Sequence, residues 1–120
     1  MKNSAFTFIE LMLVISIITI LISIGSQNYI KGVTRAKNTR LKMQLKTLRN
    51  AIYIYYSEHN GTFPKNLNIL SPKYINRLNL KWETTNANGT IDYNPKNGQV
   101  YLKITKGNYF DIEGKPYSEY

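Results

Sequence analysis

The chain has 120 residues, 42% of them apolar, with no cysteine, one histidine and a formal net charge of +9. That length fits one domain, and the apolar content excludes wholesale disorder. The missing cysteines exclude a disulfide framework, a thiol nucleophile, an iron–sulfur cluster and a thiolate zinc site.

Residues 6–24 read FTFIELMLVISIITILISI, with a single charge at Glu10. At 1.5 Å per residue a helix of that length spans about 28 Å, the thickness of a bilayer core. In lipid the backbone must close its own hydrogen bonds, so a helix is forced. A secretory signal peptide or plain anchor is the bland alternative: Lys2 is a basic start, and Ser23 and Gly25 mimic a cleavage site. Against it, the apolar run is longer than the usual signal core and contains Glu10. A lone carboxylate in lipid is costly, and no Lys or Arg lies between Lys2 and Lys31 to pair with it. A cut between Ala5 and Phe6 would supply the missing cation. The new Phe6 amine would not easily reach back to Glu10 on its own helix, but it could meet Glu10 of a neighbouring subunit. Two such buried charges hold register, because leaving either alone is expensive.

Ala5-Phe6-Thr7-Phe8-Ile9-Glu10-Leu11 resembles the prepilin peptidase site of type IV pilins and type II secretion pseudopilins. There a small residue precedes the cut, Phe follows it, and Glu lies five residues in. The resemblance implies that residues 1–5 are a leader, that Ala5 and Phe6 flank the cleavage site, that Phe6 is N-methylated, and that Glu10 pairs subunits. It also implies the partners: prepilin peptidase, an assembly platform in the membrane, and copies of the chain or other pilins in a filament. The family's usual Gly before the cut is Ala5 here, and its usual Leu is Phe8. Its helix-kinking Pro is absent, which leaves Gly25 and Gly32 as candidate flexible points.

Charge bias alone would keep the basic side, with Lys31, Arg35, Lys37 and Arg40, in the cytoplasm. The resemblance implies the opposite: a single-pass chain in the cytoplasmic membrane with its head outside, then a cell-surface filament. Domains of this length translocate despite their charge.

Residues 26–58 contain no proline and continue the helix, which from Phe6 would reach about 80 Å. Ile30, Leu41, Leu45, Leu48, Ile52 and Tyr55 share one stripe at 3.6 residues per turn. Lys31, Arg35, Lys42, Lys46 and Arg49 share a neighbouring stripe about 60° wide. A basic stripe is ordinarily a solvated face. Its sharper reading is contact with a polyanion, DNA or anionic lipid, with Tyr29, Tyr53 and Tyr56 near enough to stack on bases.

Residues 59–120 form the head. Asn60-Gly61 and Pro64 stop the helix, and Phe63 and Leu67 are placed to pin the following loop. Period-two alternation predicts antiparallel strands at residues 80–85, 90–94 and 100–105, with a fourth edge at 109–112. Asn88-Gly89 and Asn97-Gly98 are the expected hairpin turns. The predicted fold is α+β and pilin-like: a long amino-terminal helix, membrane-spanning in its first half, packed on a small antiparallel sheet of three to four strands. Such a head buries little by itself, and the helix stripe gives it a partner. With no disulfide, something else must tie down the carboxy-terminal region.

Catalytic constellations are missing. No phosphate loop, nucleophile elbow or metalloprotease helix occurs, and His59, beside Glu58, reads as a solvated residue after a helix end. Asp92, Asp111 and Glu113 supply oxygens of the kind calcium takes, but solvated acids are the simpler reading. No catalytic residue, metal or cofactor is therefore expected. The two sequons, Asn60-Gly61-Thr62 and Asn88-Gly89-Thr90, have turn roles already. The function expected is a structural subunit of a type IV pilus, secretion pseudopilus or competence filament. Its rivals are a minor DNA-binding subunit of a DNA-uptake filament and a plain anchored or secreted basic protein.

Overall fold

The computed structural model describes residues 5–120; Met1 to Ser4, most of the expected leader, lie outside the described residues. The chain divides into two compact units, one ending at Val33 and one running from Thr34 to Tyr120. A single helix, α1 (Phe8–Glu58), contributes to both and is unbroken at Gly25 and Gly32.

In the first unit the apolar side chains of α1 are exposed, Ile9 at 77%. Among the described residues α1 is the one helix long and apolar enough to cross a membrane, with a mean hydropathy of 2.5 over its most apolar window. Its hydroxyls bond back along the helix. Ser16 donates to the Met12 carbonyl at 2.7 Å, Thr19 to Ile15 at 2.8 Å and Ser23 to Thr19 at 2.6 Å. These hydroxyls thus carry their own acceptors into an apolar environment.

The second unit is a helix laid on a sheet. Its part of α1 buries Thr34, Asn38, Leu41, Leu45, Leu48, Ala51 and Ile52, a seam at the helical period. The buried stripe starts at Thr34, because Ile30 belongs to the first unit and is exposed; Tyr55, half-buried, packs against the core. The sheet is antiparallel with strand order β1-β2-β3: β1 (Lys81–Glu83), β2 (Ala87–Asn94) and β3 (Gln99–Gly107). Trp82, Ala87, Ile91 and Val100 point from it into the helix seam. The α+β class and pilin-like layout predicted from the periods are present.

After Glu58 the backbone turns left-handed at Asn60 and Gly61, φ 53° and 78°. The Gly61 N–H donates to the Tyr56 carbonyl at 3.0 Å, closing the helix end. Phe63 rests on the Tyr56 ring, centroids 4.5 Å apart. A short 3-10 helix, Leu67–Leu70, buries both its leucines.

Two strand expectations need correction. Asn97-Gly98 does make the β2–β3 turn, with Gly98 at φ 70°. Asn88-Gly89 does not turn: it lies inside β2, where Gly89 pairs with both Trp82 and Ile104. The β1–β2 reversal occurs just before, where the Thr84 N–H donates to the Ala87 carbonyl at 2.8 Å. Gly89 is there for space. A Cβ at this position would stand 1.8 Å from the Lys103 carbonyl oxygen, and the register shifts between Asn88 and Gly89. This is a bulge with close backbone approach. The expected fourth strand reduces to one isolated bridge, Phe110 to Pro116.

The carboxy-terminal segment is fastened by side chains instead. Tyr117 is buried against Trp82, centroids 5.1 Å apart, and its hydroxyl meets Thr84 and Asn86. The Asn86 amide donates to the Phe110 carbonyl at 2.8 Å. The buried Asp111 carboxylate accepts the backbone N–H groups of Glu113 and Lys115, at 2.8 and 2.9 Å, and the Tyr120 hydroxyl. Arg49 of α1 donates to the Tyr120 carbonyl at 2.7 Å.

Gly89→Ala forces the β2 and β3 backbones apart and should cost at least about 1–3 kcal/mol, read as a lower melting temperature in detergent. Gly25→Ala meets nothing within 4 Å and should leave the melt unchanged or slightly raised. Burial pushes the Asp111 pKa up, but the Tyr120 hydroxyl, the Lys115 and Glu113 N–H groups and the Lys42 charge outweigh it, leaving it below its ordinary value. A carboxyl with a depressed folded pKa stabilises above its unfolded pKa and loses that contribution as pH falls through the folded value. Stability should therefore drop below about pH 4, and Asp111→Asn should flatten that drop while speeding proteolysis of the carboxy-terminal segment at neutral pH.

Candidate functional site

Ala5, Phe6 and Thr7 precede α1 and are exposed, Phe6 at 85%. The Ala5–Phe6 peptide bond thus lies outside the helix and is exposed among the described residues. Immediately after it the helix start is closed by a reciprocal pair. The Thr7 N–H donates to Glu10 Oε2 at 2.9 Å, and the Glu10 N–H donates to Thr7 Oγ1 at 3.2 Å. This capping box satisfies two backbone donors that the first turn would leave orphaned. It also sets the carboxylate at the positive end of the helix dipole. The second carboxylate oxygen, Oε1, has no hydrogen-bond partner among the described residues. The sequence reasoning assigned Glu10 to a neighbouring subunit and overlooked this in-chain partner. The signal was present as Thr7-x-x-Glu10 ahead of an apolar run.

The basic stripe is less uniform than its spacing implied. Lys31 belongs to the first unit, and Arg35, Lys42, Lys46 and Arg49 to the second. All five are exposed. Arg35 Nε lies 3.6 Å from Glu113 Oε1. Lys42 Nζ stands 5.0 Å from the centre of the Tyr120 ring. Arg49 donates to the Tyr120 and Val100 carbonyls. Three of the five cations therefore face the carboxy-terminal segment, which runs along this flank of α1. Lys31 and Lys46 make no such contact among the described residues.

The acids considered for calcium are not gathered. Asp111 is held by the donors named above, Glu113 faces Arg35, and Asp92 accepts from the Thr90 hydroxyl at 3.4 Å. Among the described residues no three His, Asp or Glu side chains are placed to share a metal ion. The His59 ring stacks on Tyr55 at 3.8 Å, and its Nδ1 lies 2.9 Å from the Tyr55 carbonyl, at the exposed end of α1.

Residues 1–26 match the family described as the prokaryotic N-terminal methylation motif. The type IV major pilin protein PilA of Myxococcus xanthus (strain DK1622) is 44% identical over 57 residues, 48% of this chain and 26% of that protein. Both findings support the type IV pilin family. The chain thus spans about a quarter of the length of the curated relative it matches. No solved structure matches it. The matched residues include the exposed Ala5–Phe6 junction and the capped start of the apolar helix.

Thr7→Ala removes the acceptor for the Glu10 amide and should weaken the first turn by about 0.5–2 kcal/mol. In detergent micelles the Glu10 amide should then exchange its hydrogen about 2- to 30-fold faster, with head amides unaltered. An unchanged Glu10 exchange rate would remove the capping role.

Proposed function

We propose that this chain is a structural subunit of a type IV pilus or pseudopilus-type filament. Prepilin peptidase cuts between Ala5 and Phe6, the leader is released, and the Phe6 amine is methylated. The subunit waits in the cytoplasmic membrane as a single-pass protein with its head outside. An assembly platform then moves the helix from lipid to a bundle of sibling helices. The exchange costs little apolar area, since lipid and helix are both dry surroundings. Glu10 receives the neighbour's Phe6 amine and sets the axial register, because two charges buried together are far less costly than either alone.

The observation that carries this reading is the exposed junction at Ala5–Phe6 directly ahead of a capped apolar helix, inside a segment matching a methylation motif. Glu10 Oε1, without a hydrogen-bond partner among the described residues, supports the pairing step: Thr7 holds one oxygen and leaves the other for an incoming amine. The long run of exposed apolar residues on α1, from Phe8 to Ile24, supports a life in lipid or among sibling helices.

The deciding experiment is the amino-terminal sequence and intact mass of the protein from native cells. A chain beginning at methylated Phe6 is the expected result; a chain beginning near Ser26 would overturn the proposal. Glu10→Ala should still insert in the membrane but yield few filaments, and a normal filament count in that strain would dismiss the pairing role.

A further inference from the structure

The two edges of the sheet differ in length and in what holds them. β1 is three residues long, and the Gln44 amide of α1 donates to its Lys81 carbonyl at 3.2 Å. β3 is nine residues long and pairs on one side only, with β2. The direction of its remaining backbone groups follows from the ladder. The Ile91 N–H donates to the Leu80 carbonyl at 2.7 Å, so the backbone of Ile91 faces β1. Its neighbours Thr90 and Asp92 therefore face β3, where they pair with Lys103 and Tyr101. Backbone groups alternate along a strand, so Val100, Leu102 and the Ile104 N–H point out of the sheet. Arg49 takes the Val100 carbonyl at 3.4 Å. The Leu102 N–H and carbonyl and the Ile104 N–H have no partner among the described residues. A groove of about 470 Å³ opens where these residues meet the carboxy-terminal segment. Its lining includes Leu102, Lys103, Ile104, Tyr109, Phe110 and Pro116. Tyr109 and Phe110 are 74% and 54% exposed.

We propose that the free edge of β3 takes an acidic, extended peptide segment of another protein as a fourth strand. An added strand makes the hydrogen bonds at Leu102 and Ile104 that this chain leaves unmade. Alternation sorts its side chains. On one side they lie beside Leu102 and Ile104, which are half-buried against the core, and beside the Phe110 ring in the groove. On the other they lie beside Tyr101 and Lys103, which are exposed. Charge selects the sign of that second set. Lys103 and Lys106 are exposed on β3, and Lys115 is exposed on the segment that follows. The acids of that segment do not compete for an incoming strand: Asp111 holds the Tyr120 hydroxyl, and Glu113 faces Arg35. A second copy of the chain fits less well. Pairing two β3 edges would set Lys103 and Lys106 of one against the same lysines of the other, and like charges across a ladder destabilise it. The net charge of +9 adds to that repulsion and draws an acidic partner instead. The inference concerns the second unit alone and does not rest on filament assembly.

The test uses the full chain in non-ionic detergent and a labelled heptapeptide of alternating glutamate and valine, read by fluorescence anisotropy. Two further peptides carry N-methyl groups, one on every glutamate and one on every valine. A strand added to an edge uses one alternate set of N–H groups, so one methylated peptide should lose binding and the other keep it. The counterpart with lysine for glutamate should bind at least about 10-fold more weakly. Lys103→Gln/Lys106→Gln should weaken the glutamate peptide by about 2- to 30-fold, since two cross-strand charge pairs are lost. Lys37→Gln/Lys46→Gln removes equal charge elsewhere and should weaken it by less than about 2-fold. With peptide at about ten times its Kd, amide hydrogen exchange at Leu102 and Ile104 should slow about 10-fold, and by less at Tyr101 and Lys103, whose N–H groups already face β2. The proposal is overturned by no binding of the glutamate peptide, by equal affinities of the two methylated peptides, by equal binding of the lysine peptide, or by equal losses in the two variants. Protection of the Leu102 amide that rises with protein concentration in the absence of peptide would also overturn it, and would give the edge to a second copy.

Discussion

The seam of Leu41, Leu45, Leu48 and Ile52 along α1 is the constraint on which the head depends. A three-stranded sheet with one apolar face has nothing of its own to close against. The helix is the second layer, and each leucine it buries contributes roughly 1.5–3 kcal/mol relative to exposure. Trp82, Ile91 and Val100 meet that seam from the sheet, and Leu67 and Leu70 from the loop after the helix. Without α1 none of them would be covered. The helix that carries the long apolar run is therefore also the floor of the head's core.

A cysteine-free head of this size has to hold its carboxy-terminal segment by other bonds. It uses a polar network built around two tyrosines and one buried aspartate. Tyr117 joins Thr84 and Asn86 under Trp82, and Asp111 collects two backbone N–H groups and the Tyr120 hydroxyl. A buried polar group is tolerable only when its hydrogen bonds are made, so these residues stand or fall together. The same fastening gives the two flanks of α1 different chemistry. One flank turns Arg35, Lys42 and Arg49 toward the carboxy-terminal segment, and the other sets Lys37 and Arg40 beside a groove against β1.

At the amino terminus, Glu10 has an in-chain partner that helps explain how a carboxylate is tolerated in so apolar a run. The Thr7 N–H supplies one of the hydrogen bonds that water would otherwise supply to the carboxylate. In the proposed filament a neighbour's amine would add to that arrangement at the remaining oxygen.

Much of this was legible in one dimension, because periodicity is a local property. A 19-residue apolar run with one carboxylate, a leucine stripe at 3.6 and three short runs alternating at 2.0 specify a long helix on an antiparallel sheet without any knowledge of contacts. The motif around Ala5, Phe6 and Glu10 is equally local. What depended on distant residues could not be read that way. Asn88-Gly89 has the composition of a turn, yet the Lys103 carbonyl, fourteen positions on, needs the space a side chain would take. The basic stripe looked uniform until Glu113 and Tyr120 came back along one flank. By itself the sequence determined the long helix, the three antiparallel strands, the apolar run and the methylation motif, since each follows from residues within a few turns of one another. Only the tertiary structure decided the strand register, the fastening of the carboxy-terminal segment and which cations remain unpartnered, because those rest on long-range pairings that no local pattern encodes.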